Sequence, residues 1–106
     1  MQDKTMRKLF LGLIEIHILF HGARSPFYGA WMIEELRGHG YPMSAGTLYP
    51  ILHRMEKEGL LLVDARTENG KVRKYHEATE KGREVLREAG TQIFQLADEL
   101  RESFAR

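Results

Sequence analysis

Residues 44–60 have the sequence SAGTLYPILHRMEKEGL, which combines a capping residue, an amphipathic helix and a stop signal. Ser44 precedes the helix, where a serine side chain can accept a hydrogen bond from an unpaired backbone N–H. Leu48, Leu52 and Met55 recur at helical spacing, so they form one inward-facing stripe. The glycine that follows is typical of a helix end. The segment therefore predicts a short helix with one buried face and one exposed face.

A β-hairpin is predicted directly after this helix. Residues 60–66 are rich in Leu and Val, which favours a strand. The Asn69-Gly70 pair favours a tight turn, and residues 72–78 form the return strand. Thr79 then caps a last helix that ends near residue 104.

Two further helices are predicted before residue 44. Residues 4–22 carry apolar side chains on a broad face, which predicts burial on more than one side. Residues 28–38 form a second helix that ends at a Gly-His-Gly sequence. The order of helix, helix, helix, two-stranded hairpin and helix predicts a mainly α fold with a small β-hairpin. We interpret it as a winged helix-turn-helix followed by a long C-terminal helix.

The bulk composition limits the class of protein. A length of 106 residues suffices for one domain with a modest core, and 42% hydrophobic residues indicate an ordered globular chain. The absence of cysteine excludes disulfides and thiolate metal sites. No apolar run is long enough to cross a bilayer, and the first residues do not resemble a signal peptide. We therefore expect a cytoplasmic protein with no membrane partner.

The last helix carries a heptad seam, in which apolar residues step alternately by three and four positions. So small a domain cannot cover this stripe, and its natural partner is a second copy of the chain. The predicted dimer interface comprises Leu86, Ala89, Ile93, Leu96, Leu100 and Phe104. We accordingly divide the chain into a winged helix-turn-helix domain, 1–79, and a C-terminal dimerisation helix, 80–106.

Charge is unevenly distributed along the chain. The net charge of only +1 does not by itself indicate a nucleic-acid partner. The predicted hairpin is nevertheless basic, whereas the last helix carries more acidic residues. The hairpin cations are Arg66, Lys71, Arg73 and Lys74. This pattern predicts a basic side and an opposite, more acidic side.

Residues 44–60 and the later segment RKYHEATEKG, 73–82, together resemble the PadR family of transcriptional regulators. Its members typically carry S-x-G-T-L-Y-P-x-L-x-R-L-E-x-E-G-L followed by R-K-Y-Y-x-L-T-x-x-G. Here Met55 replaces a leucine of the first string, and His76 and Ala78 replace a tyrosine and a leucine of the second. The resemblance, over roughly residues 9–88, implies a DNA-binding regulator of the short form, with a single C-terminal helix.

The candidate DNA-binding residues lie on the third helix and the hairpin, the two elements that this family typically places on DNA. A major groove admits one helix, whose N-terminal part reaches the base edges. From the helix the candidates are Ser44, Gly46, Thr47, Tyr49, Pro50, Arg54 and Lys57. From the hairpin they are Arg66, Lys71, Arg73, Lys74 and Tyr75. On the residues alone, a solvated surface helix and a charged hairpin that keeps the protein soluble explain the pattern about as well as a DNA interface does.

The predicted function is a homodimeric repressor that binds double-stranded DNA at an inverted repeat and responds to a small-molecule effector, as the resemblance implies. No Walker loop, GxSxG turn or HExxH helix is present, so we expect neither an enzyme nor a cofactor. Two alternatives stay open. One is a winged-helix module that docks on another protein, and the other is a metal-responsive regulator.

His17 and His21 carry the metal alternative. They lie four positions apart, which places both imidazoles on one helix face with a spacing that suits two metal ligands. No third ligand is evident nearby, since His39, His53 and His76 do not extend the pattern. A buried structural histidine is therefore the favoured interpretation.

Trp31 is the only tryptophan of the chain and the candidate effector-binding residue. Flat aromatic ligands stack well on an indole ring. A place in the core or in a dimer interface is the ordinary alternative for such a residue.

Overall fold

The computed structural model describes residues 3–105, so the first two residues of the predicted domain 1–79 and the last residue of 80–106 lie outside it. The described chain forms four helices and one small antiparallel sheet. The helices are α1 Lys4–Arg24, α2 Gly29–Gly38, α3 Ala45–Lys57 and α4 Glu80–Phe104. The strands are β1 Phe27–Tyr28, β2 Leu61–Glu68 and β3 Lys71–Ala78. The predicted mainly helical fold with a small β-hairpin is confirmed.

The sheet has three strands in the order β1-β3-β2, so the predicted two-stranded hairpin is joined by a third strand that sequence analysis did not predict. Phe27 pairs with His76, and Tyr28 pairs with Tyr75. The same finding corrects the start of the second helix, because Tyr28 belongs to β1 and α2 begins at Gly29. A two-residue strand is too short to produce an alternating pattern that sequence analysis could detect.

The β2–β3 hairpin is longer than predicted and is paired up to its turn. Leu61 lies opposite Ala78 at one end, and Glu68 lies opposite Lys71 at the other. Asn69 has a φ of 51° and Gly70 a φ of 77°, the two positive values that a type I′ turn requires. The predicted Asn-Gly turn is thus confirmed.

The C-terminal half of α1 packs into the core, whereas its N-terminal half is exposed in the single chain. Ile18 and Leu19 are buried, but Met6 and Leu9 are not. The prediction that this helix is covered on more than one side is therefore wrong for its first half. The helix also continues past Gly22 to Arg24, and Gly22 packs closely against the backbone of Ala78.

α3 carries the predicted inward stripe, since Leu48, Leu52 and Met55 are all buried. Ser44 occupies the capping position, but its Oγ lies 3.2 Å from Thr47 Oγ1 and makes no cap bond to a backbone N–H. Its carbonyl oxygen accepts from the N–H of Thr47 and of Leu48 instead. The predicted side-chain cap is therefore wrong.

The core lies between α1, α2, α3 and the sheet, and α4 joins it only through its first turns. Gly82 lies so close to the Leu60 carbonyl that a side chain there would clash. Val85 and Leu86 still pack against the core, and beyond them α4 extends away from it, so the molecule measures 58 Å along its longest axis. Within residues 3–105, no helix is both long and apolar enough to cross a membrane.

Candidate nucleic-acid interface

The N-terminal part of α3 is an open surface. Ser44, Gly46 and Thr47 are all exposed. A side-chain carbon added at Gly46 would meet only Ser44 Oγ, at 3.9 Å. A flat or grooved partner can therefore approach the helix backbone closely at this point.

α3 and the hairpin form the two walls of one cleft with a volume of about 760 Å³. Tyr49, Pro50 and His53 line it on the helix side. Arg73 and Lys74 line it on the hairpin side. The structure therefore brings four predicted DNA contacts of the helix and hairpin to the same cleft: Tyr49, Pro50, Arg73 and Lys74.

Tyr49 is held against the start of α2. A side-chain carbon added at Gly29 would lie 2.5 Å from the Tyr49 hydroxyl oxygen, which is closer than van der Waals contact allows. Gly29 therefore makes room for the ring of Tyr49. Sequence analysis missed this role, because twenty positions separate the two residues.

Aromatic rings hold the two arginines of the hairpin. The guanidinium carbon of Arg73 lies 4.3 Å from the ring centre of Tyr28, and that of Arg66 lies 4.5 Å from the ring centre of Tyr75. The two tyrosine rings meet edge to face at 5.7 Å. Such cation–π contacts orient a guanidinium group without neutralising its charge. Arg66 also forms an ion pair, with 3.2 Å between its Nε and Asp64 Oδ2.

Tyr75 is fixed from a second direction, because its hydroxyl donates a hydrogen bond of 2.6 Å to Glu68 Oε1. This hydrogen bond raises the pKa of the Tyr75 hydroxyl. Tyr75 therefore remains a neutral donor, and its half-buried ring lies beside that of Tyr28.

Lys71 and Lys74 differ from the two arginines. Both are exposed, and the described part of the chain contains no carboxylate in an ion pair with either of them. Their ammonium groups are therefore available to an external anion.

Arg54 and Lys57 lie at the C-terminal end of α3. Arg54 Nη2 lies 2.8 Å from Glu15 Oε1 on α1, so the guanidinium group is already engaged within the chain. Lys57 is exposed in the last turn of the helix. Of these two predicted DNA contacts, only Lys57 has a side chain without an ion pair among the described residues.

The structure corrects the prediction that no third ligand accompanies His17 and His21. Each of His17, His21 and His39 offers a ring nitrogen, and these nitrogens lie within 4.8 Å of one another. Glu35 Oε1 lies 3.5 Å from His21 Nε2 and 3.2 Å from His39 Nε2. Glu35 and His39 lie four positions apart and so form a second pair at helical spacing. This spacing was the feature of the sequence that could have predicted the cluster.

Trp31 is 40% exposed and lies at the edge of a second cavity rather than in the core. This cavity has a volume of about 340 Å³, and Phe27, Tyr28 and Tyr75 also line it. The His21 ring meets the indole edge to face, with 5.3 Å between the ring centres. The cavity is aromatic enough to accept a flat ligand.

The predicted dimerisation seam of α4 is largely uncovered in the single chain. Ile93, Leu96, Leu100 and Phe104 are exposed, and Phe104 reaches 81%. Between α1 and α4 runs an apolar groove of about 410 Å³. Leu9 of α1 and Ile93 of α4 both line it, so α1 contributes an apolar surface that sequence analysis did not assign to the dimer.

A helix-turn-helix with an adjoining basic hairpin defines a winged-helix protein, the class in which an exposed helix is presented beside a β-ribbon. Residues 18–88 match the Transcriptional regulator PadR-like family. The chain belongs to this family of transcriptional regulators, as its two sequence motifs predicted, and such regulators are not an enzyme class.

Similar proteins support this assignment along almost the whole chain. The transcriptional regulator Rv3488 of Mycobacterium tuberculosis is 42% identical over 95 residues, covering 90% of this chain and 89% of the relative. A PadR family regulator from Eggerthella lenta is 35% identical, with a TM-score of 0.77, covering 92% of this chain and 87% of the other. A PadR-like regulator from Bacillus cereus is 30% identical, with a TM-score of 0.82, covering 90% and 94%.

Proposed function

We propose that this regulator binds double-stranded DNA as a homodimer, with α3 in the major groove and the β2–β3 hairpin on the adjacent backbone. The observation that carries the proposal is the shared cleft, in which Tyr49 of α3 faces Arg73 and Lys74 of the hairpin. A helix and a basic ribbon that flank one cleft can contact one duplex together.

Within this arrangement the residues have different tasks. The open N-terminal part of α3, at Ser44, Gly46 and Thr47, meets the base edges. Lys71 and Lys74 neutralise phosphates, which supplies affinity that does not depend on sequence. Arg66 and Arg73 present oriented guanidinium groups to the same backbone or to the minor groove.

Dimerisation follows from the uncovered apolar surfaces. The seam of α4 and the exposed N-terminal half of α1 border one groove, so a second copy of α4 can bury both surfaces. We therefore assign residues 80–106 to dimerisation and 1–79 to DNA binding, with α1 serving both. A twofold dimer implies an inverted-repeat operator with half-sites about 34 Å apart or a multiple of that distance.

Repression and a response to an effector complete the proposal. A dimer that covers an operator blocks transcription until a ligand favours a spacing of the two α3 helices that no longer fits the DNA. The aromatic cavity beside Trp31 is the candidate effector site, because it lies directly against β1 and β3 of the wing.

Selection of bound sequences from a random pool of duplex DNA tests this function. We expect a palindromic consensus whose binding weakens steeply with salt, because counterions are released from the phosphates. Failure to enrich any sequence, together with salt-independent binding to a protein partner, would instead support the protein-docking alternative. A consensus without inverted symmetry would overturn the twofold arrangement.

A further inference from the structure

We propose that His17, His21, His39 and Glu35 form a binding site for a divalent transition metal ion of the zinc type. The site joins α1 to the C-terminal end of α2 and goes beyond the DNA-binding function. Three imidazole nitrogens converge within 4.8 Å: helical spacing places His17 and His21 on one face of α1, and the fold brings His39 to them from a separate segment.

The spacing around Glu35 matches a tetrahedral site. With zinc–nitrogen distances of about 2.0–2.1 Å, neighbouring ligand atoms of a tetrahedron lie about 3.3 Å apart. Glu35 Oε1 lies 3.2 Å from His39 Nε2 and 3.5 Å from His21 Nε2, which are close to that separation. The three ring nitrogens, which lie within 4.8 Å of one another, must draw together by up to about 1.5 Å to reach this separation, a movement that side-chain rotation can provide.

The donor set favours zinc over harder cations. Three imidazoles and one carboxylate suit zinc and its neighbours in the transition series, whereas calcium and magnesium require mainly oxygen ligands. The histidines must be uncharged in order to bind a metal ion.

The site lies where a bound metal ion would link α1 to the segment between α2 and α3. His39 directly follows α2 and begins the connection to α3, and Tyr41 of this connection packs against His17 with ring centres 5.2 Å apart. In the same region Arg37 Nε donates a hydrogen bond of 2.9 Å to the Met43 carbonyl. A metal ion at the site therefore ties α1 to the segment that leads into α3, and it should stabilise the fold.

Calorimetric titration of zinc into the tag-free, chelator-treated full chain tests the site. We expect a single zinc ion per chain, and replacement of His17, His21 or His39 by alanine should weaken binding by at least about tenfold, as should Glu35→Gln. The matched control is His53→Ala, which removes an exposed histidine from α3 and should leave zinc affinity unchanged. Absence of saturable binding in the parent protein overturns the proposal, as does equal affinity of the parent and His39→Ala.

Two further measurements separate loss of ligands from loss of fold. Cobalt should give the intense visible absorption of a tetrahedral site in the parent and in His53→Ala, but not in His39→Ala. Zinc should raise the melting temperature of the parent and of His53→Ala only. His39 is exposed, so His39→Ala keeps the fold, as circular dichroism can verify, even where His17→Ala does not. Because no DNA is present, failure here leaves the DNA-binding proposal standing.

Discussion

Glu15 on α1 and Arg54 on α3 form an ion pair across the helix-turn-helix, with 2.8 Å between Oε1 and Nη2. Arg54 matches the family motif of the third helix, and sequence analysis assigned it to DNA. Its guanidinium group nevertheless faces α1 in the free protein. The pair suggests that Arg54 acts by holding α3 at a fixed angle to α1.

This geometry predicts that Glu15→Gln and Arg54→Ala weaken DNA binding by similar factors. The loss should be at most about fivefold, the equivalent of the roughly 1 kcal/mol that a partly exposed ion pair contributes. The double variant should be no weaker than either single variant, because both changes remove the same contact. Fluorescence anisotropy with a labelled operator measures the three affinities. If Arg54→Ala weakens binding while Glu15→Gln does not, Arg54 contacts DNA directly.

The hairpin lysines predict a change in salt dependence. Replacing both Lys71 and Lys74 by alanine should weaken binding to all sequences and reduce the logarithmic salt slope by about 1.8, because each phosphate contact contributes about 0.9. The control removes the same charge from α4 through Arg87→Ala and Arg101→Ala, and its slope should stay unchanged. Equal salt slopes for the parent and the hairpin variant would show that the two lysines do not contact DNA phosphates.

The α4 seam predicts a dimer that two charges can dissociate. Ile93→Glu combined with Leu96→Glu places carboxylates on the exposed apolar seam and should yield a monomer in sedimentation velocity runs. Thr91→Glu combined with Gln95→Glu adds the same charge to the opposite face of α4 and should leave the dimer intact. A dimer that survives the seam substitutions would locate the interface on another surface.

The contact between Gly29 and Tyr49 predicts that a single methyl group on α2 disturbs α3. Gly29→Ala should displace the Tyr49 ring and weaken DNA binding about two- to tenfold, the equivalent of one hydrogen bond of about 0.5–1.5 kcal/mol. Tyr49→Ala should have a similar effect, and the double variant should add little. Gly38→Ala, on the same helix, is the control, because a side-chain carbon there meets no atom within 4 Å. Full affinity in Gly29→Ala would show that the Tyr49 ring has no part in binding.

His76 predicts a pH-dependent contribution to stability. It is buried against Phe27, with ring centres 5.4 Å apart, and its Nδ1 has no hydrogen-bond partner among the described residues. Burial lowers the pKa of His76 below its unfolded value of about 6.5. Below that value the unfolded chain binds a proton that the folded chain does not, so stability falls as the pH falls towards the folded pKa.

We therefore expect the free energy of unfolding of His76→Phe to fall less than that of the parent when the pH is lowered from about 7.5 to about 5.5. Urea denaturation with a chelator present measures this difference. The substitution should also raise stability at neutral pH, since a buried unpaired nitrogen costs about 1–3 kcal/mol. His17 and His21 are present in both proteins, so the difference isolates His76. His53→Phe, on the exposed face of α3, should follow the parent, and an unchanged slope in His76→Phe would contradict the assignment.

Local patterns made several elements predictable. The Asn69-Gly70 turn depends on the backbone preferences of two adjacent residues, and these hold in any fold. The stripe of Leu48, Leu52 and Met55 and the seam of α4 follow from helical periodicity. The family motif then allowed the exposed helix to be interpreted as part of a transcriptional regulator. The short strand β1 escaped detection because its two residues pair with a strand nearly fifty positions away.

Sequence by itself therefore determined which segments become helices and strands, which faces are apolar and which hairpin is basic, because these properties depend on neighbours a few positions apart. Only the tertiary structure decided which of these side chains meet. It pairs Arg54 with Glu15, seats Tyr49 over Gly29 and brings His39 to His17 and His21. Those contacts depend on how the helices pack against one another, and packing is settled by the whole core at once rather than by any single segment.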